Sequence, residues 1–217
     1  MSKSIYSLVL SDDVVEAVDA LANSSGISRS AMVNRILAER VAYTTPEMRL
    51  EEILESLARS MNGAFMLAEK PSGNSLSART SLKYRYKPTV RYSVEIFTEN
   101  GHRAGEMKVS FRTQSVQLIE DLTGFFKCWA ALEQRHIADK LSEDILYTIS
   151  EGHFTRTLNM PDGNISDERL GTAVADYMAM FDGVMKAYFL RLPDMEGAKF
   201  AAEEYYRQEI ARQSVVV

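Results

Sequence analysis

Cysteine is nearly absent from this sequence: Cys128 is the only one in 217 residues. A single thiol excludes an internal disulfide framework and any zinc site built from several cysteines. The five prolines are too few for long polyproline linkers. Histidine is scarce as well. His102, His136 and His153 show no ligand spacing such as i, i+4, and no cysteine or carboxylate pattern accompanies them. Neither a metal site nor a cofactor is therefore expected. No apolar run approaches the roughly 18 residues that cross a bilayer. Met1-Ser2-Lys3-Ser4 is not followed by an apolar stretch or a small-residue cleavage site, so no signal peptide is expected. The expectation is a cytoplasmic protein with no membrane partner.

What is present is ordinary in amount and uneven in distribution. Hydrophobic residues make up 46% and charged residues 25%, the balance of a globular chain rather than a disordered one. A net charge of −5 argues, taken alone, against a nucleic-acid binder. Yet residues 79–113 hold eight Lys/Arg against three Asp/Glu, while residues 114–217 hold ten against seventeen. The positive charge sits in a central segment and the C-terminal half is acidic.

The first 44 residues read as a small module. Ser2 to Leu10 alternates like a strand, with Ser4, Tyr6, Leu8 and Leu10 on one face and Lys3, Ile5, Ser7 and Val9 on the other. Ser11 stands where an N-cap belongs, and Asp12, Asp13 and Glu16 place carboxylates at the positive end of the helix that follows. Val14, Val18, Leu21 and Ala22 form its apolar stripe. Gly26 ends the helix, because the left-handed conformation needed there is cheap only for glycine. Ser28 caps a second helix running to about Val41, with Met32, Val33, Ile36 and Leu37 expected to face inward. One short strand has unpaired edges and so small a core is marginal alone, so the arrangement asks for a second copy.

Leu10-Ser11-Asp12-Asp13-Val14-Val15, followed by Gly26-Ile27-Ser28-Arg29-Ser30-Ala31-Met32, resembles the ribbon-helix-helix family of small bacterial and phage repressors and antitoxins. The resemblance covers about a fifth of the chain. It implies an intertwined dimer that binds double-stranded DNA and regulates transcription, typically as a repressor. The paired strands would lie in the major groove with Lys3, Ile5, Ser7 and Val9 facing the bases. Ser28, Arg29 and Ser30, at the start of the second helix, would hold a backbone phosphate. One departure stands out. The family usually carries Arg, Lys, Gln, Asn or Thr on the outward strand positions, whereas Ile5 and Val9 can touch thymine methyls but donate no hydrogen bond. Two accounts stay open: weak, A/T-leaning DNA binding, or a module kept as a dimerisation clasp.

Residues 45–217 resemble nothing familiar and read as an α+β domain, a small antiparallel sheet covered by long helices. A helix is expected over 46–70, Pro46 suiting its first position, and then a linker at Pro71-Ser72-Gly73-Asn74-Ser75. Strands are expected at 81–87, 90–98 and 103–112, with an Asn-Gly hairpin signal at Asn100-Gly101. Long helices follow over about 114–137, 166–190 and 195–213, with a short strand at 153–159. In the middle helix Leu170, Val174, Tyr177, Phe181, Val184 and Tyr188 form a heptad seam that needs a partner.

Alternation over 81–87 would put Lys83, Arg85 and Lys87 on one face, with Arg91 on the next strand. Such a basic stripe could contact phosphates or an acidic partner; equally, it could protect an edge strand from aggregation. Cys128 lies on a predicted buried face with no base identified beside it, and no paired carboxylates or glycine-rich phosphate loop stand out, so enzyme activity is not expected. Two functions follow. One is a dimeric DNA-binding transcriptional regulator whose C-terminal domain oligomerises, senses or binds a partner. The other is a non-enzymatic, antitoxin-like interaction protein whose acidic C-terminal domain binds another protein.

Overall fold

The structure is a computed structural model that describes residues 4–61, 63, 65–67, 73–84, 87–98 and 101–217. The chain divides into two compact units, Met1–Arg49 and Leu50–Val217. In the first, α1 (Asp12–Ser25) begins after Ser11, whose backbone is extended, and carries Asp12 and Asp13 in its first turn. Gly26 takes the left-handed conformation (φ 66°). Its N–H donates to Asn23 O at 3.2 Å and the Ile27 N–H to Ala22 O at 3.0 Å, closing off the helix carbonyls. α2 (Arg29–Arg40) is capped by Ser28, whose hydroxyl accepts from the Ala31 N–H at 3.2 Å. The two helices pack through Val18, Ala22 and Met32, with Val33 half-buried beside them.

That core is smaller than the sequence pattern suggests. Val14 and Leu21 of α1, and Ile36 and Leu37 of α2, all expected to face inward, are exposed in the single chain. Residues 4–10 form no strand, and Ile5 and Val9 are fully exposed. Both differences have one physical reason. A strand exists only against a neighbour, and two short helices cannot cover two apolar stripes without another surface.

The second unit is a six-stranded antiparallel sheet covered on one face by helices. α3 (Pro46–Ser60) leads in, with the Thr45 hydroxyl accepting from the Met48 N–H. Its residues Ile53, Leu54 and Leu57 join the core, as does Met61 just beyond it. The helix expected over 46–70 thus stops at Ser60; Gly63 has a positive φ and a short strand, β1 (Met66–Leu67), follows. Next come β2 (Ser75–Ser81), β3 (Thr89–Ile96) and β4 (Arg103–Phe111). α4 (Val116–His136) and one 3₁₀ turn (Ala138–Lys140) lead to β5 (Tyr147–Ser150) and β6 (His153–Asn159). α5 (Asp167–Arg191) and α6 (Met195–Ile210) complete the unit. The strand order is β1-β2-β3-β4-β6-β5.

The first strand expected in this region is displaced. It runs over 75–81, inside what read as linker and its flank, and not over 81–87. The strict alternation Ser75, Ser77, Arg79, Ser81 against Leu76, Ala78, Thr80 gives one face to solvent and one to the core. Pro71 and Ser72 of the expected linker, and Asn100 of the hairpin signal, lie outside the described residues; β3 and β4 do pair as a hairpin across that turn.

The covered face of the sheet presents Leu76, Val90, Tyr92, Val94, Met107 and Phe154 to a core built with Phe125, Phe126 and Trp129 of α4 and Phe181 of α5. All six residues of the expected heptad seam are buried. Helices approach closely where a side chain is missing: a Cβ on Gly171 would stand 2.3 Å from the Ile53 carbonyl oxygen of α3. Two polar clusters cross this core. Thr80 and Tyr92 donate to Asp182 Oδ1 at 2.7 and 2.9 Å, and Lys186 pairs with the same carboxylate. Arg156 of β6 donates to Glu133 of α4 at 2.9 Å, with its guanidinium 4.5 Å from the Tyr177 ring centre.

Candidate nucleic-acid interface

The N-terminal unit carries the residues expected to meet DNA. Ile5, Ser7 and Val9 are exposed, spaced two apart just before α1. Lys3 lies outside the described residues. At the start of α2 the Ser28 hydroxyl is taken up in capping, so the free donors of the first turn are the N–H groups of Arg29 and Ser30. Ser28, Arg29 and Ser30 are all exposed.

Arg29 differs from the expectation of a free phosphate ligand. Its guanidinium makes a two-pronged ion pair with Asp19 of α1. Hydrogen bonds from Arg29 hold the Asp19 carboxyl below its ordinary range, and the same bonds raise Arg29. The pair ties the two helices together at the surface. A phosphate here would be held by the backbone donors and the Ser30 hydroxyl, with Arg29 contributing only where it leaves Asp19.

The second basic region is rearranged. β2 ends at Ser81, so Lys83 and Lys87 lie in the β2–β3 connection instead of alternating along a strand, and Arg85 lies outside the described residues. Lys87 has a positive φ (44°), which breaks alternation just before Pro88. Tyr84 in this connection donates to Asp121 at 2.6 Å and packs edge-on against Phe189. Arg91, in β3, stands directly opposite Arg79 in β2. The structure thus brings Arg91 together with Arg79, on the open face of the sheet, and separates both from the loop lysines by a strand end. Composition pointed to the segment; the Ser-x-Ser-x-Arg alternation of 75–79 marks the strand and its open face, while the pairing with Arg91 is fixed by register.

Cys128 is half-buried, and burial pushes its thiol up, away from the reactive thiolate. His136 Nε2 lies 3.7 Å from Glu203 and its ring against Tyr206, His102 is in an exposed turn, and His153 is on the open sheet face. No three His, Cys, Asp or Glu side chains among the described residues are grouped to hold a metal ion. No helix among them is long and apolar enough to cross a membrane.

Among known protein families, the model of the ribbon-helix-helix protein, copG family, matches residues 7–44. No curated protein and no solved structure matches the chain.

Proposed function

From a ribbon-helix-helix module at its N-terminus, we propose that the protein is a dimeric, non-enzymatic DNA-binding regulator of transcription. Two chains pair through residues 4–10, and the resulting ribbon enters the major groove with Ile5, Ser7 and Val9 toward the bases. The α2 N-termini hold flanking phosphates. The C-terminal unit adds oligomerisation, sensing or partner contact.

The match of residues 7–44 to the ribbon-helix-helix family supports DNA contact, and one observation supports the pairing of two copies. Of the 19 large hydrophobic residues exposed among the described residues, 12 fall between Ile5 and Tyr43. An isolated module with so much apolar surface would be unstable in water, whereas a second copy of the same module covers both the strand edge and the helix stripes. The experiment is footprinting of the DNA upstream of the protein's own gene. Protection of two symmetric half-sites supports the reading; no protection at micromolar protein contradicts it.

A second reading has its own support. Two of the three described outward positions are aliphatic, and Asp19 neutralises Arg29. Both features weaken DNA contact and would suit a clasp that dimerises a partner-binding domain. Co-purification of a stoichiometric protein partner, with no DNA protection, would favour it.

A further inference from the structure

The helices cover one face of the sheet and leave the other open. Register fixes what the open face carries. One row across the strands is Met66, Arg79, Arg91, Ser110, His153 and Ser150; the next is Ser77, Ser93, Lys108, Thr155 and Thr148. Residues directly opposite on antiparallel strands point to the same side. The surface is a shallow trough lined in part by Ser77, Arg79, Arg91, Lys108 and Ser110, hydroxyls and cations, with the carboxylates of Glu95 and Glu106 confined to the next row on the far side of Lys108. Apart from Met66 on the edge strand, neither row contains an apolar side chain.

The cations on it are not equivalent. Lys108 is paired, 2.8 Å from Glu106 and 3.9 Å from Glu95. Arg79 and Arg91 are exposed and directly opposed, and neither has a carboxylate partner among the described residues. Like charges facing each other across a ladder work against the sheet. Lys83 and Lys87, in the β2–β3 connection, line a different surface and are not part of the trough. An anion between the two guanidiniums would turn the repulsion into two forked hydrogen-bonded contacts.

The chemistry narrows the ligand. A protein partner wants an aromatic or aliphatic centre, and in these two rows the one apolar side chain is Met66, out on the edge strand. Single-stranded nucleic acid wants aromatic rings to stack its bases, and there are none here. Paired arginines amid hydroxyls suit a repeating phosphate backbone read without regard to sequence. We propose that the open sheet face, through Arg79 and Arg91, is a second contact for the phosphate backbone of duplex DNA. The inference rests on the reading of this chain as a DNA-binding protein. It adds a sequence-blind anchor on the same chain as the weakly polar ribbon, so that either contact raises the local concentration of DNA for the other.

The test uses the full-length chain, a 30-base-pair duplex in preferred and scrambled sequence, and fluorescence anisotropy between 50 and 200 mM salt. Two variants are compared, Arg79→Gln/Arg91→Gln and Ser30→Glu. Removing two phosphate contacts flattens the salt dependence by about two units of log–log slope. Over that salt range the wild type should therefore lose about tenfold more affinity than the double variant. Preferred and scrambled duplexes should weaken by the same factor in the double variant, whose thermal midpoint should not fall because a like-charge pair has been removed. Ser30→Glu tests the module separately: it should diminish the preference between sequences while keeping the contribution of Arg79 and Arg91 to the slope. An unchanged slope in a folded double variant overturns the sheet contact and leaves the module reading standing. A flattened slope with no effect of Ser30→Glu supports the sheet contact and removes the module's role. A trough that binds poly-glutamate while the duplex slope is unchanged overturns the proposal in favour of an acidic protein.

Discussion

Glu133 and Arg156 form an ion pair with no solvent-exposed side-chain surface on either partner, joining α4 to β6 at 2.9 Å. Tyr147 donates a second hydrogen bond to the same carboxylate at 3.0 Å, and Trp129 donates to Tyr177, over whose ring Arg156 lies. Breaking one half of such a pair leaves a buried charge without compensation, which costs about 3–5 kcal/mol. Glu133→Ala is expected to lose that much in urea denaturation followed by tryptophan fluorescence. A loss below about 1 kcal/mol would mean that water reaches Arg156.

The buried tyrosines predict an alkaline limit. Tyr92 is raised well above its ordinary 10.0 by burial and then by Asp182; Tyr177 is raised likewise, chiefly by burial. Each stays protonated in the fold while its unfolded counterpart ionises. Their stabilisation is therefore fully present below about pH 10 and is lost as pH climbs toward their folded values. Stability should fall above pH 10 by roughly 1.4 kcal/mol per pH unit for each such tyrosine. Thermal midpoints measured from pH 8 to 11, with tyrosinate absorbance recorded alongside, check this. Because Tyr6 and Tyr43 are exposed, only the tyrosinate absorbance of all ten tyrosines, reached before unfolding, would contradict it.

Gly171 sits where α5 crosses α3. An added methyl would stand 2.3 Å from the Ile53 carbonyl and 2.8 Å from the Ser56 Cβ, and neither is a movable side-chain end. Gly171→Ala should cost about 1–3 kcal/mol by forcing the helices apart, despite alanine's better helix propensity. The shift of the denaturation midpoint measures it. A stabilised variant would show that the two helices do not approach as described.

Leu37 is 54% exposed in the single chain, so Leu37→Asp would be nearly neutral for a monomer. If a second copy covers α2, the same change buries a carboxylate in the dimer core. The expected result is a shift to monomer in sedimentation velocity, together with loss of DNA binding. A variant that stays dimeric would place the dimer interface elsewhere.

Local rules reached both helices of the N-terminal module, though not its strand. Ser11, Gly26 and Ser28 mark helix ends by chemistry confined to a few residues, and the structure puts those ends where these residues stand. Which apolar residues lack cover was not legible, because Ile36 and Leu37 obey the helical period whether the covering surface is their own chain or another. Alternation failed at 81–87 for a related reason. Leu82, Tyr84 and Tyr86 keep the period of a strand, but Pro88 and the left-handed Lys87 interrupt the ladder, and β3 pairs with the plainer 75–81 instead. The opposition of Arg79 and Arg91 depends on register, and the buried Glu133–Arg156 pair joins residues 23 apart in sequence; neither follows from local pattern.

The most direct measurement is the affinity of the purified chain for its own upstream duplex and for a scrambled duplex, by anisotropy at several salt concentrations. The account predicts nanomolar binding that prefers the upstream sequence and weakens steeply with salt. A well-folded dimer that binds neither duplex below tens of micromolar would contradict it, and would leave the module as a clasp.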